Sequence, residues 1–484
     1  MSSLLKRWAH QSPLLPALIT ATHQYTWREL ADKVDQMAAG LTQQGVEAGR
    51  VVTSVGKNSV EQLMVYLACL ELGAINALTM PQTKSELDVK LATLYQDPRE
   101  SHIWFTQPLS SAPCTATITP ETEHTFQTDY TVETDCTFEI DCTYQTDHAP
   151  MSLCCDVQSR YDHDALASIV FTSGSTGTPK AVAHSSRQHF ASAQGLLAVF
   201  PFKQGDCWLL SLPLYHVSGL AIVYRWLLSG AGLKIGSGEL SQDIEGVTHA
   251  SLVATQLRRL LDSAQPLQLK QVLLGGGHVD HALSQQAAQR GIETWLGYGL
   301  TEAASTVTAK RIDCTYSAGH LLAKRRLKIE GQRIYIGGDT LASGYYQCGQ
   351  LTSLTVNGWF DTKDLGEWLG DELRIIGRAD NQFISGGENI HCEEIEQVLN
   401  RHPMLDFALV VPVADREFGH RPVAVIIPTD GFDRDIMPEY LESQLSRFKW
   451  PTAYYSMPAD LSENGIKISR YAVKQWLKLN YQIE

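Results

Sequence analysis

One stretch of the chain has the residue types of a phosphate-binding loop. It reads Thr172-Ser173-Gly174-Ser175-Thr176-Gly177-Thr178-Pro179-Lys180, and it follows an uncharged segment, residues 167–171, that predicts a short buried strand. Glycines let the main chain approach an anion, N–H groups and hydroxyls donate to its oxygens, and the lysine adds charge. A Walker loop needs four residues between its glycines, whereas two separate Gly174 from Gly177. The preceding strand argues against the alternative, a flexible Ser/Gly/Thr linker.

Six further segments later in the chain contain groups that could bind or react, and four of them also contain glycine. They are Leu214-Tyr-His216-Val-Ser218-Gly219, Gly297-Tyr298-Gly299-Leu300-Thr301-Glu302, Thr362-Lys363-Asp364, Arg378-Ala-Asp380, Ser385-Gly386-Gly387 and Asn464-Gly-Ile-Lys467-Ile-Ser-Arg470. Glu302, in a predicted tight Gly-Tyr-Gly turn, suits Mg²⁺, which takes one or two carboxylates plus substrate phosphates. Asp364 suits a ribose diol, since a carboxylate accepts from two hydroxyls. Each segment alone also has a structural interpretation: a solvated Thr-Glu cap, a packed histidine, a surface Arg378–Asp380 ion pair or an exposed lysine.

Length, charge and cysteine content bound the class of protein. The 484 residues predict two or more domains. A net charge of −14 without a Lys/Arg block argues against nucleic acid or an anionic membrane as the main partner. The ten cysteines include Cys154-Cys155 but no Cys-x-x-Cys pair, and no apolar run of about 20 residues occurs. We expect a cytoplasmic protein with reduced thiols and no membrane insertion.

Alternating strand and helix patterns predict a large layered α/β domain with parallel sheets. A capping box at Thr26 begins a helix, residues 51–55 read as a strand, and a helix capped by Ser59 ends at Gly73. More β/α units follow between residues 208 and 296, which favours a doubly wound sheet with ligands at the strand carboxyl ends.

The domain prediction places a large N-terminal domain at residues 1–379 and a small, mobile α+β domain at 380–484, in which Gly386 and Gly387 open a helix from about Cys392 to Arg401. Residues 114–148 interrupt the first domain with four acidic six-residue repeats, which we interpret as a surface insert. A calcium or partner site there is the alternative. The chemistry predicted from the other segments does not need this insert.

The ordered segments resemble the adenylate-forming superfamily, which includes acyl-CoA synthetases, luciferases and the adenylation domains of peptide synthetases. The resemblance covers residues 167–470 and implies ATP, Mg²⁺ and CoA as cosubstrates. For the nucleotide, the resemblance implies that Gly297-Tyr298-Gly299 lies along the adenine, Thr301 touches the phosphates, Glu302 holds Mg²⁺, and Asp364 and Arg378 contact the ribose. For the reacting groups, it implies that Lys467 bridges the substrate carboxylate and the α-phosphate and that His216 lies near the acyl and thiol channel. For the domain motion, it implies that Asp380 is the hinge and that Gly386 and Gly387 approach the pantetheine. Family members usually have Thr-Gly-Asp where this chain has Thr362-Lys363-Asp364.

Finer features resemble the branch of the superfamily that serves menaquinone biosynthesis. They lie in residues 210–219, 297–306, 411–423 and 464–470. The substrate of that branch has an aromatic carboxylate, a keto group and an aliphatic carboxylate that is activated. A desolvated aromatic carboxylate needs a partner. We predict Arg225, placed within an apolar helix, or the hydroxyls of Ser218 and Thr301, with His216 as an alternative and Gly275, Gly276 and Gly277 along the pocket wall.

Other functions fit parts of the same pattern. The alternatives are an acyl-CoA synthetase for another aryl or medium-chain acid, a stand-alone adenylation protein that loads a carrier protein, and a phosphotransferase or non-catalytic nucleotide sensor. Retention of both Lys467 and Glu302 argues against the sensor. The predicted partners are small molecules (a carboxylic acid, ATP and CoA). Homodimers are common among such enzymes, although no residue pattern here marks a self-complementary face.

Overall fold

A computed structural model describes most of the chain. The described residues are 2–97, 101–105, 159–172, 179–263, 265–275, 279, 281–429, 431–458, 461, 468 and 470–481. The acidic repeats and several predicted site residues, namely Ser173, Gly174, Ser175, Thr176, Gly177, Gly276, Gly277 and Lys467, lie outside them.

Helices and strands alternate through the first two thirds of the described chain, and strands dominate the next part. The α-helices are α1 (Leu4–Gln11), α2 (Trp27–Gln43), α3 (Val60–Leu72), α4 (Lys84–Leu94), α5 (Ser186–Leu197), α6 (Val217–Ser229), α7 (Leu240–Asp243), α8 (Ala254–Asp262), α9 (His281–Gln289), α10 (Cys392–Leu399), α11 (Met437–Glu442) and α12 (Arg470–Tyr481). The strands are β1 (Pro16–Ile19), β2 (Gln24–Thr26), β3 (Val51–Val55), β4 (Ile75–Thr79), β5 (His102–Phe105), β6 (Leu166–Thr172), β7 (Lys180–Ser185), β8 (Cys207–Leu209), β9 (Gly232–Lys234), β10 (His249–Leu252), β11 (Gln271–Leu274), β12 (Glu293–Leu300), β13 (Ser305–Arg311), β14 (His320–Leu321), β15 (Arg325–Glu330), β16 (Arg333–Gly338), β17 (Gly344–Gln347), β18 (Gln350–Thr352), β19 (Phe360–Leu369), β20 (Glu372–Arg378), β21 (Gln382–Ser385), β22 (Glu388–His391), β23 (Leu405–Asp415), β24 (Gly419–Pro428) and β25 (Tyr454–Ser456).

The first sheet carries the stem of the predicted phosphate loop. Its order is β18-β17-β7-β6-β4-β3-β5, with β6, β4, β3 and β5 parallel and β7 antiparallel to β6. The parallel register sets Leu78 beside Val170, so the carboxyl ends of β4 and β6 meet at one edge. That edge is where ligands bind in parallel sheets of this kind.

The second sheet has thirteen strands, of which one part is parallel and another part is antiparallel. Strands β12, β11, β10, β8, β9 and β1 are parallel neighbours, and β13, β14, β20, β19, β16 and β15 continue the sheet in antiparallel pairs. The largest apolar core packs α2, α3, α5 and α6 between the two sheets and includes Trp27, Trp208 and Trp226. The α/β prediction is therefore confirmed, but the doubly wound interpretation describes only the parallel part.

A third sheet, of five strands, begins just after residue 380. Strands β21 to β25 form it, and α10, α11 and α12 pack against it with separate apolar clusters. The boundary at residue 380 stays a prediction. No helix among the described residues is both long and apolar enough to cross a membrane.

Two local predictions about glycines were wrong. Gly297-Tyr298-Gly299 does not form a tight turn, because β12 continues through it to Leu300 and pairs with β13. Gly386 and Gly387 do not open a helix. They form the two-residue turn of the β21–β22 hairpin, with φ of 57° and 89°, which favours glycine at both positions. The helix caps at Thr26 and Ser59, and the left-handed Gly73 after α3, are confirmed.

Candidate active site

The stem of the phosphate loop brings Lys180 against an aromatic ring. Thr172 and Lys180 are paired at the ends of β6 and β7, so the two ends of the predicted phosphate loop lie side by side at the sheet edge. Strand β17 pairs with β7 and places Tyr345 beside this stem, with the Lys180 Nζ 5.1 Å from its ring centroid. An ammonium over an aromatic face is favourable, and it keeps Lys180 near the loop.

Tyr345 also contacts Glu302, the predicted magnesium ligand. Its hydroxyl donates to Glu302 Oε1 at 3.2 Å, and the backbone N–H of Ala342 donates to the Glu302 carbonyl at 2.8 Å. Burial and the Glu302 carboxylate raise the pKa of Tyr345, so the phenol stays protonated and remains a donor. One tyrosine therefore contacts both residues, Lys180 through its ring and Glu302 through its hydroxyl. The sequence reasoning did not identify it.

Glycine is needed in β12 because the chain folds back closely on itself. A Cβ at Gly299 would lie 1.9 Å from the Ser305 carbonyl oxygen. A short 3₁₀ turn over Thr301–Ala303 ends in two residues with positive φ, Ala304 at 51° and Ser305 at 89°, which return the chain into β13. This tight reversal presents Thr301 and Glu302 at the end of β12.

The predicted adenine and ribose segments meet at one buried carboxylate. Tyr298 donates to Asp364 Oδ2 at 2.6 Å, and Arg378 Nη1 donates to Oδ1 at 3.0 Å. Arg378 also binds both oxygens of Asp380, through Nε at 2.8 Å and Nη2 at 3.0 Å. These bonds, led by those to Asp380, raise the pKa of Arg378. The Arg378 guanidinium thus joins Asp364, the other predicted ribose contact, to Asp380, the predicted hinge residue.

Lys363 adopts the backbone conformation that a glycine would adopt. Its φ is 62°, and the N–H of Asp364 donates to the Thr362 hydroxyl at 3.0 Å. The departure from Thr-Gly-Asp therefore leaves the turn intact. It places a non-glycine residue in the left-handed region, at some cost in conformational energy.

The His216 segment is fixed by a side chain far away in the sequence. The amide of Asn58 donates to the carbonyls of Leu210 and Leu212, both at 2.9 Å, and accepts from the Leu214 N–H at 2.8 Å. His216 then begins α6 without capping it through its side chain. Burial, and next the charge of Lys90, lower the pKa of His216, so the ring is neutral near pH 7.

Arg225 lies on the inner side of α6, two turns after Ser218. Its side chain is 2% exposed and lies 5.3 Å from the Trp208 ring, and Nη2 donates to the Thr306 hydroxyl at 3.3 Å. Nε has no partner among the described residues. Burial, and then the neighbouring Arg325, lower its pKa to about 9. Arg225 is thus a buried cation that still has donor capacity.

Arg325 is the second buried arginine of this region, and sequence reasoning missed it. It is 5% exposed, and its guanidinium donates to the carbonyls of Thr306 at 2.6 Å, Ser192 at 3.0 Å and Ala323 at 2.8 Å. Its neighbours in the sequence are also basic, so the sequence does not distinguish it from them. Arg325 differs because the register of β15 buries its side chain. Arg325 therefore secures the β13 strand from which Thr306 reaches Arg225.

For the remaining described residues of the prediction, the structure gives the position along the chain and the exposure. Gly275 directly follows β11, with open space where a Cβ would project. Ser218 is half-buried in the first turn of α6, and Gly386 and Gly387 are exposed.

Lys467 itself is not described, but Arg470, three residues later, is firmly held. Arg470 Nε donates to the Val410 carbonyl at 3.0 Å, Nη1 donates to Glu393 Oε1 at 3.2 Å, and Nη2 contacts Glu396. These contacts fix the start of α12 against α10 and β23.

The family comparison agrees with this geometry. Residues 5–346 match the family described as AMP-binding enzyme, and residues 394–465 match the AMP-binding enzyme C-terminal domain. A curated Escherichia coli protein named 2-succinylbenzoate–CoA ligase is 39% identical over 466 residues, which cover 96% of this chain and 95% of that one. The protein of the same name from Haemophilus influenzae is 39% identical over 461 residues, or 93% and 92% of the two chains.

Solved structures agree with the sequence relatives. An Escherichia coli MenE variant with bound OSB-AMS has 37% identity and a TM-score of 0.82, covering 99% of this chain and 98% of that one. MenE from Bacillus subtilis in complex with the acyl-adenylate intermediate OSB-AMP shares the fold, with a TM-score of 0.77 at 23% identity over 94% of each chain. On these matches, the chain belongs to the AMP-binding enzyme family.

Proposed function

We propose that this protein is an AMP-forming ligase that joins 2-succinylbenzoate to CoA with ATP. Full-length relatives of that name, at 39% identity, support the assignment. The structural observation that carries it is the pair of buried guanidiniums of Arg225 and Arg325, whose recorded hydrogen bonds go to neutral oxygens. A buried cation without a counter-ion is costly. An acid whose far end carries a second carboxylate supplies that counter-ion.

The first half-reaction activates the aliphatic carboxylate. One of its oxygens bonds to the α-phosphorus of ATP, the bond from that phosphorus to the bridging oxygen breaks, and pyrophosphate leaves. Lys180 and the phosphate loop supply charge and donors at the triphosphate. Asp364 and Arg378 bind the ribose, and Lys467 approaches the reacting carboxylate and α-phosphate as the family resemblance implies.

Glu302 fits the predicted role of magnesium ligand. It is a half-buried carboxylate just after β12, and within the described part of the chain the one side chain that donates to it is Tyr345, on Oε1. The second oxygen could therefore bind a cation. Bound Mg²⁺ would neutralise phosphate charge, as it does in other nucleotide sites.

The second half-reaction transfers the acyl group to the thiol. Sulfur bonds to the acyl carbon, the carbon–oxygen bond to AMP breaks, and the thiol proton is released. A neutral His216 near the acyl end adds no positive charge to that region, and it can accept a hydrogen bond from the thiol. The resemblance assigns Asp380 as the hinge and Gly386 and Gly387 as the turn that approaches the pantetheine.

The test measures pyrophosphate release and thioester formation with two matched acids. One is 2-succinylbenzoate, and the other is 4-oxo-4-phenylbutyrate, which lacks only the aromatic carboxylate. Arg225→Met should raise the KM for 2-succinylbenzoate by about 100-fold, since it removes one partner of a buried charge pair. It should leave the KM for the second acid nearly unchanged. Arg326→Met, an exposed arginine next to Arg325, is the control.

The outcomes separate the activity from the residue assignment. Wild-type protein that forms no thioester with 2-succinylbenzoate would contradict the proposed function. Activity that is preserved in Arg225→Met, with an unchanged KM for 2-succinylbenzoate, would contradict only the role of Arg225.

A further inference from the structure

Lys90 lies at the same sheet edge as the phosphate loop, although no sequence motif includes it. It is on α4, and its Nζ donates to Thr79 Oγ1 and to Gln82 Oε1, both at 2.7 Å. Thr79 ends β4, whose parallel register sets it level with Phe171 at the end of β6. The Lys90 Nζ is 5.3 Å from the Phe171 ring centroid. Lys90 is therefore next to Phe171, the residue directly before the first residue of the predicted loop.

The charge of Lys90 is poorly compensated. Both recorded hydrogen-bond partners are neutral oxygens. Glu86, one turn earlier on α4, uses its carboxylate to cap the helix through the N–H and hydroxyl of Thr83, at 3.0 and 2.9 Å. Its influence on Lys90 is outweighed by burial, which lowers the pKa of Lys90 to about 8. A cation held this way gains most when an anion comes into contact with it.

Lys90 also acts electrostatically on His216, which the resemblance places near the acyl end of the site. Burial lowers the pKa of His216 most, and the charge of Lys90 lowers it further. One ammonium group therefore lies beside the strand that enters the phosphate loop and influences the histidine at the start of α6. Besides the carboxylates of the acid, the anions of the proposed reaction are the phosphates of ATP and those of CoA, and the stem of the phosphate loop beside Lys90 favours a phosphate.

We propose that Lys90 is a phosphate-binding residue, whose ammonium group binds phosphoryl oxygens of ATP or of CoA beside the stem of the phosphate loop. The identity of these two ligands rests on the proposed function. The geometry of Thr79 and Gln82 pre-orients the ammonium group, because two of its three protons are already directed to fixed acceptors. The third proton is available to the ligand.

The experiment is calorimetric titration of the full-length protein with ATP–Mg²⁺ and, separately, with CoA. Lys90→Met and Lys90→Gln remove the charge, and Lys84→Met removes an exposed lysine from the first turn of the same helix as a control. We expect both Lys90 variants to raise the Kd of one ligand at least tenfold, while Lys84→Met leaves both values unchanged. A change for ATP assigns the phosphate to the nucleotide, and a change for CoA assigns it to the thiol substrate.

A second readout distinguishes binding from a structural role. Because Lys90 is a half-buried, poorly compensated cation, Lys90→Met should raise the thermal unfolding midpoint while it weakens binding. Unchanged Kd values for both ligands in both Lys90 variants would overturn the proposal. Since titration needs no turnover, this result is independent of whether 2-succinylbenzoate is the acid.

Discussion

The Tyr298 hydroxyl and the Asp364 carboxylate are 2.6 Å apart and join two segments separated by 66 positions. One carboxylate oxygen of Asp364 accepts a hydrogen bond from Tyr298, and the other accepts one from Arg378. Burial and the Asp364 charge raise the pKa of Tyr298 well above its usual value, so the tyrosine stays a donor at working pH. The predicted adenine-binding and ribose-binding segments are therefore one hydrogen-bonded unit before any nucleotide binds.

Tyr298→Phe should weaken nucleotide binding without affecting the acid. Removing the hydroxyl removes the hydrogen bond to Asp364 Oδ2, so the carboxylate is less firmly oriented toward the ribose. A hydrogen bond to a charged group contributes about 1.5–3 kcal/mol, so we expect the KM for ATP to rise about tenfold or more. Steady-state kinetics with ATP and with 2-succinylbenzoate check this. An unchanged KM for ATP would show that Asp364 does not need Tyr298.

Tyr345→Phe should separate the two functions of that ring. Phenylalanine keeps the face on which Lys180 packs but removes the donor to Glu302. We expect kcat to fall about tenfold and the Mg²⁺ concentration for half-maximal rate to change, because Glu302 is no longer oriented. Tyr346→Phe, the neighbouring residue, is the control and should have little effect. Equal rates in both variants would contradict a positioning role for Tyr345.

The sequence predicts local structure well and long-range contacts poorly, for a physical reason. Caps such as Thr26 depend on atoms three residues apart, so the sequence suffices. The contact between Tyr345 and Glu302 depends on β17 pairing with β7, which no local pattern specifies. In the same way, the register of β15 buries Arg325 but exposes Arg326, although the two are adjacent and both basic.

The error at Gly297-Tyr298-Gly299 has a similar origin. Two glycines around one tyrosine suggested a turn, but the glycines serve a close approach of β12 to β13, and the reversal lies further on at Ala304 and Ser305. Periodicity cannot distinguish a glycine needed for a turn from a glycine needed for space.

Lys363→Gly should stabilise the protein and leave its activity intact. The φ of 62° at Lys363 costs about 1 kcal/mol for a residue with a Cβ, and glycine avoids that cost. Glycine also has more conformational freedom in the unfolded chain, which offsets part of the gain in stability. We expect a net gain of a few tenths of a kcal/mol up to about 1 kcal/mol. Urea unfolding midpoints of wild type, Lys363→Gly and Lys363→Ala check this. Lys363→Gly should be more stable than Lys363→Ala, and the reverse order would mean that the lysine side chain stabilises the turn.

The buried histidines His184 and His189 should make the protein sensitive to mild acid. Their ring centroids are 4.8 Å apart, and neither nitrogen of His184 has a hydrogen-bond partner among the described residues. Burial lowers the pKa of His184 to about 4, opposed in part by the Thr301 carbonyl, and burial followed by His184 lowers that of His189. Both rings are therefore neutral in the folded protein near pH 7.

Between pH 6.5 and 4 the unfolded chain binds protons at these histidines and the folded protein does not, so stability falls as the pH falls. For His184 alone, linkage predicts a loss of about 2 kcal/mol between pH 7.5 and pH 5. His184→Leu should reduce the pH dependence of the free energy of unfolding by that amount, whereas His10→Leu, at an exposed position, should not. Urea unfolding at the two pH values measures this. The same slope in His184→Leu and wild type would mean that His184 takes up its proton in the folded state, with the Thr301 carbonyl as the acceptor.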